Sequence, residues 1–281
     1  MRKLILILAG LLTAAGAYAQ IDLDKEFFSL PEEVTGEYLD SIKIQSVKPN
    51  DYWIVGVYGG ASLQYGFFNP PRSVMWNVQY PVYGFSIIRH YTMFGIFPNM
   101  GLEFGAQQNY EGYLFKENKE TGYRATESGA YRVCIKVPEV FFLTHFHIDM
   151  ADRFKVLAKI GLYGGYRQEI ARELDPIYET SSYTQYAYKF RDYDRRWTYG
   201  VQGGLGIGLM LDPFEFHLNV QVKWGWESFW EPDYMSPYYY RFAYPLDLAP
   251  TFGIYYQLSP RHGHTRSRLK KMAKEIVNYT E

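Results

Sequence analysis

The sequence predicts an all-β protein: an eight-stranded antiparallel transmembrane β-barrel followed by a short C-terminal amphipathic helix. The first observation is that apolar and polar side chains alternate without a break over residues 214–227. The second is that this alternation recurs along the chain, and the third is that the connections alternate between short and long. A strand that crosses a bilayer needs ~9–11 tilted residues with alternating lipid-facing and lumen-facing side chains, so 214–227 is long enough to cross.

The start of the chain has the composition of a secretory signal peptide. Two basic residues precede an apolar run over 4–12, and the small-residue pattern Ala17-Tyr18-Ala19 follows, as at a cleavage site. We therefore expect residues 1–19 to be removed. No later uncharged apolar run approaches ~18 residues, so membrane insertion would have to use β-strands. Residues 20–51 are expected to be a periplasmic lead-in, in which Asp40-Ser41-Ile42 resembles an O-glycosylation signal.

The barrel is predicted over residues 52–258, where the period-2 pattern typical of half-exposed strands recurs in about eight segments. These segments are 52–65, 81–91, 97–109, 131–148, 153–167, 197–211, 214–227 and 246–258. In 197–211 the polar face is rich in glycine, which leaves room for long side chains from the opposite strands. Aromatic residues form 19% of the chain, as suits the aromatic girdles of membrane barrels.

One segment, 131–148, breaks the alternation. Its apolar face begins with Val133, Ile135 and Val137 and then shifts by one residue to positions such as Val140. An extra residue in a strand reverses the face that each side chain takes, so we predict a β-bulge at Pro138-Glu139, where proline's missing donor is tolerated. The lone Cys134 lies in the same segment and is interpreted as a small strand residue.

The connections give independent support. Short ones fall at 92–96, 149–152 and 212–213, and long ones at 66–80, 110–130, 168–196 and 229–245. Short periplasmic turns and longer outer loops are typical of outer-membrane barrels. An even number of antiparallel strands then returns both termini to the periplasm.

Three stretches carry a resemblance to a known family. They are the proline-containing strand 133–140, the glycine-rich 200–208 and the final strand 252–258. Over roughly residues 50–258 the chain resembles the outer-membrane β-barrel proteins of Bacteroidetes, the group that includes PorT-like proteins. The resemblance implies the outer membrane of a Gram-negative bacterium and a role in secretion or outer-membrane assembly machinery.

Barrels of eight strands are just wide enough for side chains to fill, so an open pore is not expected. Buried charges must be paired, and the near-balanced lumen set predicts an internal plug of ion pairs. The predicted lumen charge cluster is Glu103, Arg132, Lys136, Glu139, Lys155, Lys159, Glu215, Lys223 and Glu227.

Two pairs of lumen residues could in principle act as a base or bind a metal. His217 lies two residues from Asn219, and His145 two residues from His147. Neither G-x-S-x-G nor H-E-x-x-H accompanies them. We therefore expect no catalytic residues, no metal and no cofactor, and a protein that is not an enzyme.

The chain beyond the barrel, 259–281, is predicted to be a basic periplasmic tail with a short amphipathic helix. Its basic residues are Arg266, Arg268, Lys270, Lys271 and Lys274. They could contact acidic headgroups or a periplasmic partner, or simply be solvated. The formal net charge of −1 gives no reason to expect a nucleic acid partner.

The leading functional hypothesis is a non-enzymatic outer-membrane barrel with a closed lumen. It would be anchored by lipid and would bind envelope partners through its loops and tails, as an accessory or structural subunit. The alternative is a small-ligand-binding or lipid-modifying barrel with its site in the lumen or at the outer rim. A third interpretation, a soluble lipocalin-like barrel, requires apolar groups inside and polar groups outside.

Overall fold

A computed structural model describes residues 52–93, 97–149, 153–178 and 182–259 of the 281-residue chain. The predicted signal peptide, the N-terminal segment with Asp40-Ser41-Ile42, and the basic tail lie outside the described residues. Within the described ranges no helix is long and apolar enough to cross a membrane. The strands are β1 (Tyr52–Asn69), β2 (Val74–Met75), β3 (Asn77–Met93), β4 (Phe97–Phe115), β5 (Ala130–Asp149), β6 (Phe154–Tyr166), β7 (Glu169–Leu174), β8 (Trp197–Leu211), β9 (Phe214–Gly225) and β10 (Phe242–Gln257), and two 3-10 helices cover Pro176–Tyr178 and Ser182–Tyr186.

Eight of these strands close into an antiparallel ring in the order β1-β3-β4-β5-β6-β8-β9-β10, with β10 pairing back onto β1. The remaining two lengthen the wall at one end: β2 pairs with the end of β4, and β7 pairs with the start of β5. The predicted eight-stranded antiparallel barrel is therefore confirmed in its strand number and pairing.

Inward and outward side chains alternate along the ring strands. On β9, for example, Leu218 is 52% exposed whereas Lys223 is 1% exposed. The outward rows are apolar and aromatic. Most of the interior mixes buried charged and polar side chains with two small apolar groups, one around Tyr255 and one around Phe141. An interior lined throughout by apolar groups, as a lipocalin-like barrel would need, is wrong for this protein.

The predicted β-bulge at Pro138-Glu139 is wrong. The register of β4 with β5 runs without a shift through Gln108↔Pro138 and Gln107↔Glu139, and the odd-numbered residues from 133 to 147 are buried. The inward row includes Val137, Glu139 and Phe141, so the phase of the strand does not change at Pro138. A bulge lies instead opposite Gly60 and Ser62 of β1, where β3 carries Pro81, a site at which proline's missing donor is tolerated.

The two ends of the barrel differ in their connections. The long connections 70–76, 116–129, 167–196 and 226–241 lie at one end, which we call the long-loop end. The other end, the short-turn end, holds the two-residue connection Asp212-Pro213. Ile54 pairs with Gln257 there, so the first and last ring strands meet at the short-turn end. The predicted alternation of connections is confirmed, although β1 and β4 extend further into the long loops than expected.

Candidate functional site

Buried ion pairs lie in the interior between the short-turn end and the aromatic residues near the long-loop end, and we call this region the ion-pair lumen. Nearest the short-turn end, Lys155 of β6 pairs with Glu215 of β9, and both side chains are fully buried. The Nε2 atom of His217 lies 3.1 Å from the Glu215 carboxylate. The side-chain amide of Gln257 donates to the same carboxylate at 3.1 Å. Several partners on one carboxylate are what a buried charge requires.

Glycine on β8 makes this contact possible. Gly208 pairs with Lys155 on one side and with His217 on the other, so the lysine crosses a strand that has no side chain there. A Cβ atom at Gly208 would come within 2.8 Å of Lys155 Cγ. The glycine-rich face of 197–211 therefore does leave room for long side chains from its neighbours.

A second group lies at mid-height. Lys159 pairs with Glu103 at 2.6 Å, and Lys223 pairs with Glu139 and, at 3.3 Å, with Asp247. The Gln107 amide donates to Glu139 at 2.8 Å. Two lysines and three carboxylates make up this group, and each lysine contacts at least one carboxylate and each carboxylate a lysine.

A third ion pair, which is absent from the predicted cluster, lies between the mid-height group and the long-loop end. Arg167 donates to Glu111 at 2.9 Å and to the Ser228 carbonyl at 2.8 Å, and the Thr198 hydroxyl donates to the other Glu111 oxygen at 2.8 Å. Glu111 continues the inward row of Gln107 and Asn109, two residues beyond the segment predicted as a strand. Extending the predicted alternation of β4 by two residues would have placed Glu111 in the interior.

Six of the nine residues predicted for the lumen charge cluster lie in the ion-pair lumen: Glu103, Glu139, Lys155, Lys159, Glu215 and Lys223. The other three do not, so that part of the prediction is wrong. Arg132 and Lys136 point outward on β5 and pair with Glu173 at 2.8 Å and Glu169 at 3.6 Å on β7. Glu227 lies past the end of β9, where Arg195 is 3.6 Å away. The first two are displaced because β5 keeps its phase, which turns its even-numbered residues outward.

Apolar side chains close the interior at the long-loop end, and we call this group the aromatic cap. Its rings are Tyr113, Phe115, Phe229 and Trp230, and they pack on Val133, Ile135 and Val137 of β5. The ring centroids of Tyr113 and Phe229 are 5.5 Å apart, within the range of favourable aromatic pairs. A cavity of about 20 Å³ remains beside them, which is enough for about one water and far below the ~300 Å³ of a ligand pocket.

Further ion pairs order the long-loop end. Glu127 contacts Arg72 at 2.9 Å, Arg241 at 2.5 Å and the Tyr234 hydroxyl at 2.5 Å. Burial raises the pKa of the Glu127 carboxyl, against the opposing effects of the Tyr234 hydrogen bond and the Arg72 charge. Arg172 pairs with Asp194 at 2.6 Å with both side chains buried. The contacts of Glu127 thus join three long connections, which are 70–76, 116–129 and 226–241.

The same end exposes large aromatic and apolar side chains. Tyr238 is 93% exposed, next to Tyr239 and Tyr240 in the connection from β9 to β10. Other exposed residues on the long connections are Tyr123, Ile177, Tyr188 and Met235. Exposed tyrosines on an ordered scaffold are typical of binding surfaces.

The sequence-predicted histidines separate into two settings. His217 contacts Glu215, as described above. His145 and His147 of β5 lie near the short-turn end, and His90 of β3, which sequence analysis missed, joins them. Their ligand atoms all lie within 4.8 Å of one another, so these three residues could hold a metal ion. Cys134 lies half-buried on β5 as a free cysteine.

Fold and site together define a closed antiparallel barrel with a filled interior. Among solved structures, the chain is similar to the outer membrane protein OprG of Pseudomonas aeruginosa, at 10% identity over 75% of this chain and 98% of that one, with a TM-score of 0.39. It is similar to the N-terminal β-barrel domain of Pseudomonas aeruginosa OprF, at 9% identity over 74% and 98%, with a TM-score of 0.38. Outer Membrane Protein W of E. coli gives 12% identity over 74% and 98%, with a TM-score of 0.38.

No family model and no curated protein matches the sequence. The resemblance to the PorT-like proteins of Bacteroidetes therefore stays a prediction. The barrel architecture itself follows from the strand registers and not from the similarities to solved structures.

Proposed function

We propose that the chain is a non-enzymatic β-barrel of the outer membrane, closed to solutes, that binds an envelope partner through its long-loop end. The observation that carries the proposal is the contrast between the two ends of one ring. The interior is filled by paired charges and sealed by the aromatic cap, while the ordered loops beyond it expose aromatic side chains. Such a barrel would bind a partner at its long-loop end and would not conduct solutes.

The outward face supports a membrane location. Apolar side chains alternate outward around the whole ring, as a lipid-facing surface requires. Aromatic residues gather near both edges of this surface: Tyr166, Trp197, Trp224 and Trp226 toward the long-loop end, and Trp53, Phe154, Phe214 and Tyr256 toward the short-turn end. Two aromatic girdles are typical of barrels that span a bilayer. Extraction with high salt but no detergent should leave the protein in the membrane fraction, and release would contradict the proposal.

The closed lumen can be tested by conductance. Purified protein inserted into a planar bilayer should give no stepwise ion current, because neither the ion-pair lumen nor the aromatic cap leaves a continuous water path. A variant with Glu103→Ala and Lys159→Ala provides a comparison, since it removes one pair at mid-height but keeps the cap. We expect it to stay silent too. Regular conductance steps from the native protein would disprove closure.

The partner surface can be tested with the tyrosine cluster. Replacing Tyr238, Tyr239 and Tyr240 by serine should abolish co-purification of a native complex from mildly solubilised membranes. Tyr123→Ser, at an exposed tyrosine of another long connection, is the matched control if the cluster alone forms the contact. Unchanged partners in the triple variant would sink the proposed role of this surface. We also propose that the basic tail contacts acidic headgroups or a periplasmic protein, and deletion of 260–281 tests that contact separately.

A groove on the outer wall favours a second candidate function, binding of a lipid chain. The groove has a volume of about 810 Å³ and is lined by Val57, Phe85, Ala106, Val140, Gly164 and Trp197 among others. Gly164 has room for a side chain, since its Cβ would meet only the Thr198 carbonyl oxygen at 3.9 Å. Gly164→Leu should therefore fill the groove and reduce lipid retained through purification, measured by mass spectrometry. Gly59→Leu, at another roomy glycine on β1 outside the groove, should retain it.

A further inference from the structure

Three histidines from two strands that are not neighbours meet inside the barrel. His90 lies on β3 and His145 and His147 lie on β5, and we call them the histidine cluster. His90 and His145 are 0% exposed and His147 is 3% exposed. The ring centroid of His90 lies 4.9 Å from that of His145 and 4.7 Å from that of His147.

Glycine on the intervening strand brings the rings together. Gly101 of β4 pairs with His90 on one side and with His145 on the other, so no side chain separates the two imidazoles. A Cβ atom at Gly101 would lie 3.3 Å from His90 Nδ1. The approach of these rings is therefore built into the register of three strands.

The ring nitrogens of His90 and His145 find no hydrogen-bond partner among the described residues. Buried polar atoms are nearly always satisfied, because one left without a partner loses its hydrogen bonds to water and gains none in return. His217 shows the usual solution in the same interior, because its Nε2 atom contacts Glu215 at 3.1 Å. One nitrogen of each of these two rings belongs to the group of ligand atoms that lie within 4.8 Å of one another. The unprotonated nitrogen of a neutral imidazole is an electron-pair donor, so a metal ion at this point would satisfy it.

We propose that His90, His145 and His147 bind one divalent transition-metal ion. Neutral imidazoles suit zinc, copper, nickel and iron, and tetrahedral zinc has Zn–N bonds of about 2.0–2.1 Å. That geometry places the nitrogens roughly 3.4 Å apart, and their present spacing of up to 4.8 Å is within reach of small ring rotations. The neighbouring Lys155 and Lys159 are each paired with a carboxylate, which reduces the repulsion between their positive charge and the ion without removing it.

The metal would join β3 to β5 across β4 and would leave a fourth position for water. This site is independent of the proposed partner surface, because it lies near the short-turn end and the tyrosine cluster lies at the other.

The experiment uses the tag-free full-length chain in detergent, stripped with a chelator and titrated with Zn²⁺ by calorimetry. The background carries His262→Gln and His264→Gln, which removes the two histidines of the tail. We expect one saturable site, and an affinity at least about tenfold weaker in His90→Gln and in His145→Gln. His217→Gln, a buried histidine outside the cluster, is the matched control and should bind as the parent does.

Equal zinc binding in the parent, His90→Gln and His145→Gln would overturn the proposal, as would the lack of a saturable site in the parent. Because the cluster variants could fail to fold, the parent that carries only His262→Gln and His264→Gln gives a second measurement. X-ray absorption of its bound zinc should show three imidazole ligands. Scattering without imidazole would overturn the proposal as well.

Discussion

The ion-pair lumen and the aromatic cap line the same barrel wall, yet they stabilise it by opposite means. On the short-turn side of Pro138, Glu139 of β5 joins a charged network, beside a small apolar group that includes Phe141. On the long-loop side, Val133 and Ile135 pack among aromatic rings. The outward face reverses in parallel, from Val140, which is 54% exposed, to the ion-paired Arg132. The wall thus changes from an apolar outside around a partly charged interior to a polar outside around an apolar interior.

The largest expected effect comes from breaking the ion-pair lumen. Lys223→Met leaves Glu139 and Asp247 buried without their cation, and breaking a buried pair from one side costs about 3–5 kcal/mol. Urea unfolding in detergent micelles should show this loss in the free energy of unfolding. Adding Glu139→Gln and Asp247→Asn should recover part of it, since uncompensated charge is the cause. A loss below about 1 kcal/mol in the single variant would contradict the assignment.

Truncating a side chain of the aromatic cap should lower the free energy of unfolding by a smaller amount. Ile135→Ala removes buried methyl groups from an apolar core, and such truncations cost about 2–4 kcal/mol. The same urea experiment measures it. The charge-neutralising changes that rescue Lys223→Met should not rescue this variant, because the defect is a cavity. Rescue would mean that the two regions are not distinct.

A smaller effect is expected at the glycine between the strands of the lower pair. Gly208→Ala places a Cβ 2.8 Å from Lys155 Cγ, and crowding of this kind costs about 1–3 kcal/mol. Gly164→Ala, with open space around it, should instead be neutral or stabilising by up to about 1 kcal/mol, because alanine narrows the unfolded ensemble. Thermal unfolding followed by circular dichroism distinguishes them. Equal melting temperatures would mean that Lys155 simply moves aside.

The smallest effect should come from the outward ion pair. Lys136→Ala separates a pair in which the Glu169 side chain is 65% exposed, and exposed pairs contribute about 0–1 kcal/mol. Raising the salt concentration should remove even this difference. A loss comparable to that of Lys223→Met would show that Lys136 belongs to the interior network.

Alternation predicted the faces of most strands because a strand has a strict period of two. The positions of Lys155, Lys159 and Lys223 follow from it directly. The alternation could not assign Arg132 and Lys136 to the correct face of β5. The apolar row that contains Val133 faces inward, whereas the row that contains Val140 faces outward, and alternation alone does not say which face is the interior.

The histidine cluster illustrates a different limit. His145 and His147 stand out in the sequence, but His90 joins them only through the registers of β3 and β5 on either side of Gly101. Register depends on packing of the whole ring, and nothing local to His90 specifies it. The same holds for Lys155 and Glu215, which come from strands separated by β8.

Gly101 and Gly208 therefore have a consequence for how such sequences vary. Each one couples side chains two strands apart, so His90 should co-vary with His145, and Lys155 with Glu215, in related chains. A contact map inferred from co-variation would then add pairings of β3 with β5 and of β6 with β9 to those of the true neighbours. A glycine on the strand between two such columns identifies a contact made across that strand.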